Sequence, residues 1–216
     1  MTYESVTNLL NYMKNIFVYI FEFLILILLM MVPPLFVWID FTILKTNLSE
    51  YSLTEFTQEF LILTSFVILL YKTYKNRGNR GFLILFVGLF MVMFIREGDY
   101  FWDKIMNGLW TILAVGSFLI SIYIAYKQRK TIIPTLSTYW NTRGFDYLIM
   151  GLLIVLIFSR IFGTGDLWRA ILKENYIGHY KTAIQEGLEL LGYLIIFYGA
   201  ILMSKISLND TKIKED

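Results

Sequence analysis

The sequence predicts an all-α fold: a polytopic membrane helix bundle with about six transmembrane helices and both termini cytoplasmic. Three observations carry that expectation. The chain is 57% hydrophobic with a mean hydropathy of +0.60, whereas soluble domains are about 45 to 50% apolar. The excess is gathered into runs of about twenty residues almost free of charge, each long enough to cross roughly 30 Å of hydrocarbon. The cations, finally, concentrate in alternate connections between those runs, the pattern of loops retained on the cytoplasmic side.

Taken in order, the expected spans cover residues 16–43, 54–72, 82–98, 107–126, 145–162 and 182–203, within a single helical domain over 1–204 that is followed by a short polar cytoplasmic tail, 205–216. The first run has only Lys14 before it and no small-residue cleavage pattern after it, so it reads as a retained helix and not a signal peptide. "VPPLF" at Pro33 and Pro34 is expected to kink or break it, because proline removes a donor and crowds the preceding turn. Ser52 and Glu55 have capping-box spacing before the second span. The third ends in "FIREGDYFWD", where Gly98 begins the surfacing turn and residues 99–103 form an aromatic rim at headgroup level. The fourth holds no charge. The polar connection "KQRKTIIPTLSTYWNTRG" leads to the fifth. After it, Trp168, Leu172 and Tyr176, four apart and beside Ile171, predict a short amphipathic helix at the interface.

Orientation follows from Lys72, Lys75, Arg77 and Arg80 after span two, Lys127, Arg129, Lys130 and Arg143 after span four, and Lys205, Lys212 and Lys214 after span six, all on the side of Lys14. The expected location is a multi-pass position in a bacterial inner (plasma) membrane.

Several chemistries are excluded early. With no cysteine and one histidine, disulfides, thiol catalysis and multi-histidine metal sites are out of reach. A net charge of +2 with no basic block gives no footprint for nucleic acid. No cofactor is evident; the expected partners are membrane lipids and either a second copy or a membrane subunit.

The informative residues are the charges inside the apolar runs. Counting at about 1.5 Å per residue places Glu59, Arg96, Glu97, Arg160, Glu186 and Glu189 at similar depth near the outer end of four different spans. A charge near the centre of an inserting helix costs on the order of 2.5 to 3.5 kcal/mol, less toward the interface, so such groups face one another or water. In span six, Glu186, Glu189 and Tyr193 lie on one face at i, i+3 and i+7, beside a strip made by Gly192 and Gly199 where another helix can approach. Four glutamates against two arginines leave the cluster two negative charges in excess if all are ionised, and a bound cation, protonated carboxyls, a charged His179 or water must supply the balance.

Glu59, Glu97, Glu186 and Glu189 are therefore the candidates for binding or conducting a cation or proton, Arg96 and Arg160 the residues that tune them, and His179 and Tyr193 auxiliaries. Two other functions compete: a non-catalytic subunit or scaffold whose cluster only holds helices together, and an intramembrane enzyme acting on lipid, for which no nucleophile motif or phosphate-cradling loop is present. Glu22, alone in the inner half of span one, has no partner that sequence identifies. A faint repeat relates "GLFMVMFIREGD" in span three to "GLLIVLIFSRIFGTGD" in span five, each with an arginine at the outer end.

Overall fold

A computed structural model describes residues 3–76 and 78–206. Arg77 and the tail residues Lys212 and Lys214 lie outside them, so the termini's sidedness rests on the sequence. The described chain is helical throughout: α1 (Tyr3–Thr42), α2 (Leu53–Lys75), α3 (Gly81–Glu97), α4 (Asp99–Ile105), α5 (Leu109–Lys127), α6 (Ile132–Tyr139), α7 (Arg143–Leu153), a π-helical turn (Ile154–Phe158), α8 (Ser159–Phe162), α9 (Gly165–Leu172) and α10 (Gly178–Ser204). Through α7, the π turn and α8 the chain forms one span-length rod, Arg143–Phe162. Among the described residues five helices are long and apolar enough to cross a membrane, and a sixth is added if α3 and α4, bent by 68° at Gly98, form one broken span. Their outward faces fit that environment: Ile112, Phe118 and Leu119 on α5 and Phe17, Phe21 and Leu28 on α1 are each more than half exposed, apolar surface that a water-soluble fold does not leave open on this scale.

The centre of the bundle is α10, packed against α7, α2 and α1, while α3 joins α2 to α5. The α7–α10 approach is set by glycines on both helices. A Cβ at Gly199 would lie 2.8 Å from the Gly144 carbonyl oxygen and 2.8 Å from the Leu148 nitrogen, and one at Gly151 would lie 2.7 Å from the Gly192 carbonyl oxygen. The Gly192 and Gly199 strip expected from the sequence is thus matched by Gly144 and Gly151, also seven apart, on the partner helix. Around this contact Leu148, Leu152, Val155, Leu190, Ile196 and Met203 make the core.

Two side chains anchor the ends. Asp40, fully buried near the end of α1, accepts from the backbone nitrogens of Leu53 (2.8 Å) and Thr54 (2.9 Å) and from the Thr54 hydroxyl (2.6 Å). A carboxylate on the open N–H groups of a helix start satisfies donors and favours the dipole, so Asp40 caps α2 from another helix. At the opposite end Lys72 donates to the carbonyls of Ser204 (2.8 Å) and Ile206, closing the C-terminus of α10.

Several expectations need correction. Helix α1 runs unbroken through Pro33 and Pro34: the two prolines withhold only the donors that would reach Leu29 and Met30, a loss a long helix tolerates. The capping box is half formed. The Ser52 hydroxyl accepts from the Glu55 nitrogen at 3.2 Å, but the Glu55 side chain turns inward to the cavity described below. The connection after α5 contains the helix α6, with Thr135 and Tyr139 fully buried. Helix α9 stops at Leu172, before Tyr176, because Lys173 takes a φ of 49°; Trp168 and Leu172 belong to it and Tyr176 does not.

The glycine contact predicts a sharp contrast. Gly199→Val forces a branched side chain into backbone and should lower the thermal midpoint in detergent by the equivalent of about 3 kcal/mol, the upper end of overpacking costs. Gly116→Ala on α5, where nothing lies within 4 Å of an added Cβ, should leave it unchanged or slightly raised. Equal midpoints for the two variants would contradict the close crossing.

Candidate functional site: a carboxyl-lined cavity

At the end of the bundle where α2 begins and α3 and α8 finish, a cavity of about 120 Å³ is lined by Glu50, Glu55, Arg96, Glu97, Asp99, Arg160, Gln185, Glu186 and Glu189. No apolar side chain contributes to it. Five helices, α2, α3, α4, α8 and α10, and the loop before α2 deliver these groups for local reasons. Helix α3 ends at Gly98, so Arg96, Glu97 and, across the bend, Asp99 sit at its rim. The tight crossing of α7 on α10 carries Arg160, in the last helical turn of the rod, alongside Glu189.

Three sub-clusters divide the cavity. The Glu189 carboxylate, 3% exposed, forms an ion pair with Arg160 at 3.2 Å and accepts a hydrogen bond from Gln185 at 3.1 Å, both at the same oxygen. Glu97 forms an ion pair with its neighbour Arg96 and accepts a 2.5 Å hydrogen bond from the hydroxyl of fully buried Tyr193. The third differs in kind. Glu186 accepts from the Gln58 amide at its side chain (3.2 Å) and at its backbone carbonyl (3.1 Å), and its carboxyl faces that of Glu55; neither has a guanidinium within ion-pairing distance among the described residues. Gln58 is fully buried and its side-chain oxygen has no hydrogen-bond partner among the described residues.

Of the residues singled out from sequence, Glu97, Glu186, Glu189, Arg96 and Arg160 meet at the cavity and Tyr193 supports it. Both arginines of the faint repeat reach it. Glu59 does not line it: one residue past Gln58 on α2, it is rotated about 100° from the face that meets α10 and looks toward the side of Glu97 and Glu50. His179 is remote, exposed, with its ring edge-on to Phe41 at 6.0 Å. Asp99, read from sequence as a headgroup-level residue, faces the cavity because the bend at Gly98 turns it inward. Glu50, Glu55, Gln58 and Gln185 escaped the sequence reading. The spacing of Glu55 from Ser52 points to a cap, and the glutamines carry no charge to flag them, although Gln58 stands one turn from Glu55 and Gln185 one turn from Glu189.

The count of charges is now more extreme. Six carboxyls and two guanidiniums surround one small polar space, an excess of four acids. Among the described residues no three Asp, Glu or His side chains converge as a metal ion requires. Near the cavity mouth the Lys104 ammonium donates to the Tyr51 hydroxyl at 2.8 Å and lies 4.1 Å from the Tyr100 ring centre, tying the loop that carries Glu50 to α4. Loss of water, followed by the charges of Asp99 and Glu97, pushes the Glu50 carboxyl above its usual range. Comparison with protein-family models, with characterised proteins and with solved structures finds no match.

Two outcomes follow. Because the fold favours protonated Glu50, its contribution to stability is present at low pH and lost as pH rises through the raised value. Glu50→Gln should therefore raise the thermal midpoint at neutral pH, with the gain vanishing below the ordinary value of 4.5; a gain that grows on acidification would contradict this. Arg160→Ala leaves Glu189 buried with only Gln185. The expected cost is about 2 kcal/mol, less than the 3 to 5 of a fully buried pair because the arginine side chain is 42% exposed, and it should largely disappear in a Glu189→Gln background. An undiminished cost there would remove the pair as its cause.

Proposed function

We propose that this is a membrane protein that takes up and releases a proton at the carboxyl-lined cavity, with Glu186 and Glu55 as the exchanging pair. The carrying observation is that this pair faces carboxyl to carboxyl in a cavity where both guanidiniums are engaged with other acids. Two carboxyls in contact repel unless one holds a proton or a cation lies between them. The two ion-paired sub-clusters would hold the walls, with Arg96 and Arg160 setting the potential, Gln58 orienting Glu186, and Glu50 and Asp99 forming an acidic mouth that attracts cations from solution. A carboxylate-bound cation is the same chemistry with a different occupant; the proton is preferred because the donor geometry is not that of a metal site. The cation-rich ends, if cytoplasmic, turn the cavity outward.

A second reading has its own observation. The Arg160–Glu189 and Tyr193–Glu97 contacts tie α8 and α3 to α10, which is what a subunit with a structural cluster needs.

The two separate in proteoliposomes suspended in weakly buffered medium with a pH-sensitive dye outside the vesicles. Proton exchange predicts that Glu186→Gln and Glu55→Gln each reduce the protons that the dye reports as taken from the medium after an acid pulse, while Glu59→Gln leaves them unchanged and all three keep thermal midpoints near the parent. Uptake that persists in both cavity variants, with only stability altered, leaves the structural role.

A further inference from the structure

At the opposite end of the bundle a groove of about 470 Å³ opens between α1, the start of α7 and the end of α10. Its floor holds an ion pair that the cavity chemistry does not use: Glu22 of α1, 7% exposed, bound to Arg143. The Tyr147 hydroxyl faces the same carboxylate. Glu22 is thereby satisfied from two sides, whereas Arg143 spends one of its terminal nitrogens on Glu22, and its side chain stays 45% exposed with the guanidinium over the Tyr19 ring, 4.4 Å from the ring centre. Lys205, exposed at the groove's rim, has no carboxylate within ion-pairing distance among the described residues. Glu22, Arg143 and Lys205 together carry one net positive charge. Along α1 and α10 the walls are Val18, Phe21, Ile25 and Ile201, with Val18 and Phe21 well exposed.

From this charge balance and shape we infer that the groove binds the headgroup of an anionic phospholipid. A phosphodiester carries the single negative charge that the rim lacks. The free N–H groups of Arg143 offer a planar fork to its oxygens, the Lys205 ammonium supplies a second contact, and the N-terminus of α7 at Thr142 adds its dipole. The apolar walls accept the upper part of an acyl chain lying along α1. Basic pockets between spanning helices are where such headgroups are recognised. Glu22 sets the selectivity, because it cancels Arg143 in part and leaves the groove suited to one negative charge and not to several.

The test uses the full chain in detergent, titrated with phosphatidylglycerol and, separately, with phosphatidylcholine of the same acyl chains, binding being read by native mass spectrometry and by the shift of the thermal midpoint. Phosphatidylglycerol is expected to bind and stabilise while phosphatidylcholine does neither. Lys205→Glu should weaken phosphatidylglycerol at least about fivefold, the weight of one basic residue at an anionic leaflet. Lys130→Glu, an exposed cation of the same end outside the groove, should leave it unchanged, and Glu22→Gln should strengthen it by releasing Arg143. Equal binding of the two lipids, or equal loss in the Lys205 and Lys130 variants, overturns the inference. So does a shift of the same size produced by inorganic phosphate, which would make the site one for a free anion. If Glu22→Gln does not fold, the Lys205 and Lys130 pair still decides.

Discussion

The close crossing of α7 on α10 is the contact on which the remaining arrangement depends. Two glycines on each helix bring backbone within van der Waals reach of backbone, the kind of packing that holds helices together where burial of hydrocarbon gives them little reason to associate. The contact fixes register as well as distance. With Gly151 seated on Gly192, the end of the same rod places Arg160 beside Glu189, and its beginning places Arg143 at the groove that holds Glu22. Both charged sites thus inherit their geometry from one apolar contact.

Once α10 is held in this way, its polar face has to be matched by its neighbours, since unpaired charges facing hydrocarbon are costly. The matching is uneven. Glu189 and Glu97 receive arginines, a glutamine and a tyrosine; Glu186 and Glu55 receive one amide and each other. A bundle stabilised only by its polar contacts has no need of the second arrangement, and the unevenness is what favours an exchangeable occupant. Asp40 reinforces it from outside: by capping α2 from α1 it holds the first turn of α2, where Glu55 stands, against α10.

Much of the fold was legible because hydrophobic length and charge spacing are local properties. The five span-length helices, the boundary at Gly98, the glycine strip on α10 and the placing of Arg96, Glu97, Arg160, Glu186 and Glu189 toward one end of the bundle all follow from counting along single helices. Rotation between helices does not. Glu59 and Glu55 lie one turn apart on α2, and only the angle at which α2 meets α10 decides that Glu55 lines the cavity while Glu59 passes beside it. The same holds for Glu22, whose partner is 121 residues away, and for Asp40, whose donors belong to a different helix. Neutral partners such as Gln58, Gln185 and Tyr193 leave little signal in a pattern read through charge, yet they determine which carboxyls are satisfied.

The central claim is that the Glu55–Glu186 pair holds a proton that can leave. Infrared difference spectroscopy between acidic and alkaline conditions, on the full chain in lipid, observes this directly, because a protonated carboxyl has a carbonyl stretch that a carboxylate lacks. Proton exchange at the pair requires a titrating carboxyl band that is lost in Glu186→Gln and displaced in Glu55→Gln. A band unaffected by both substitutions, or no carboxyl titrating in the folded protein, would contradict it.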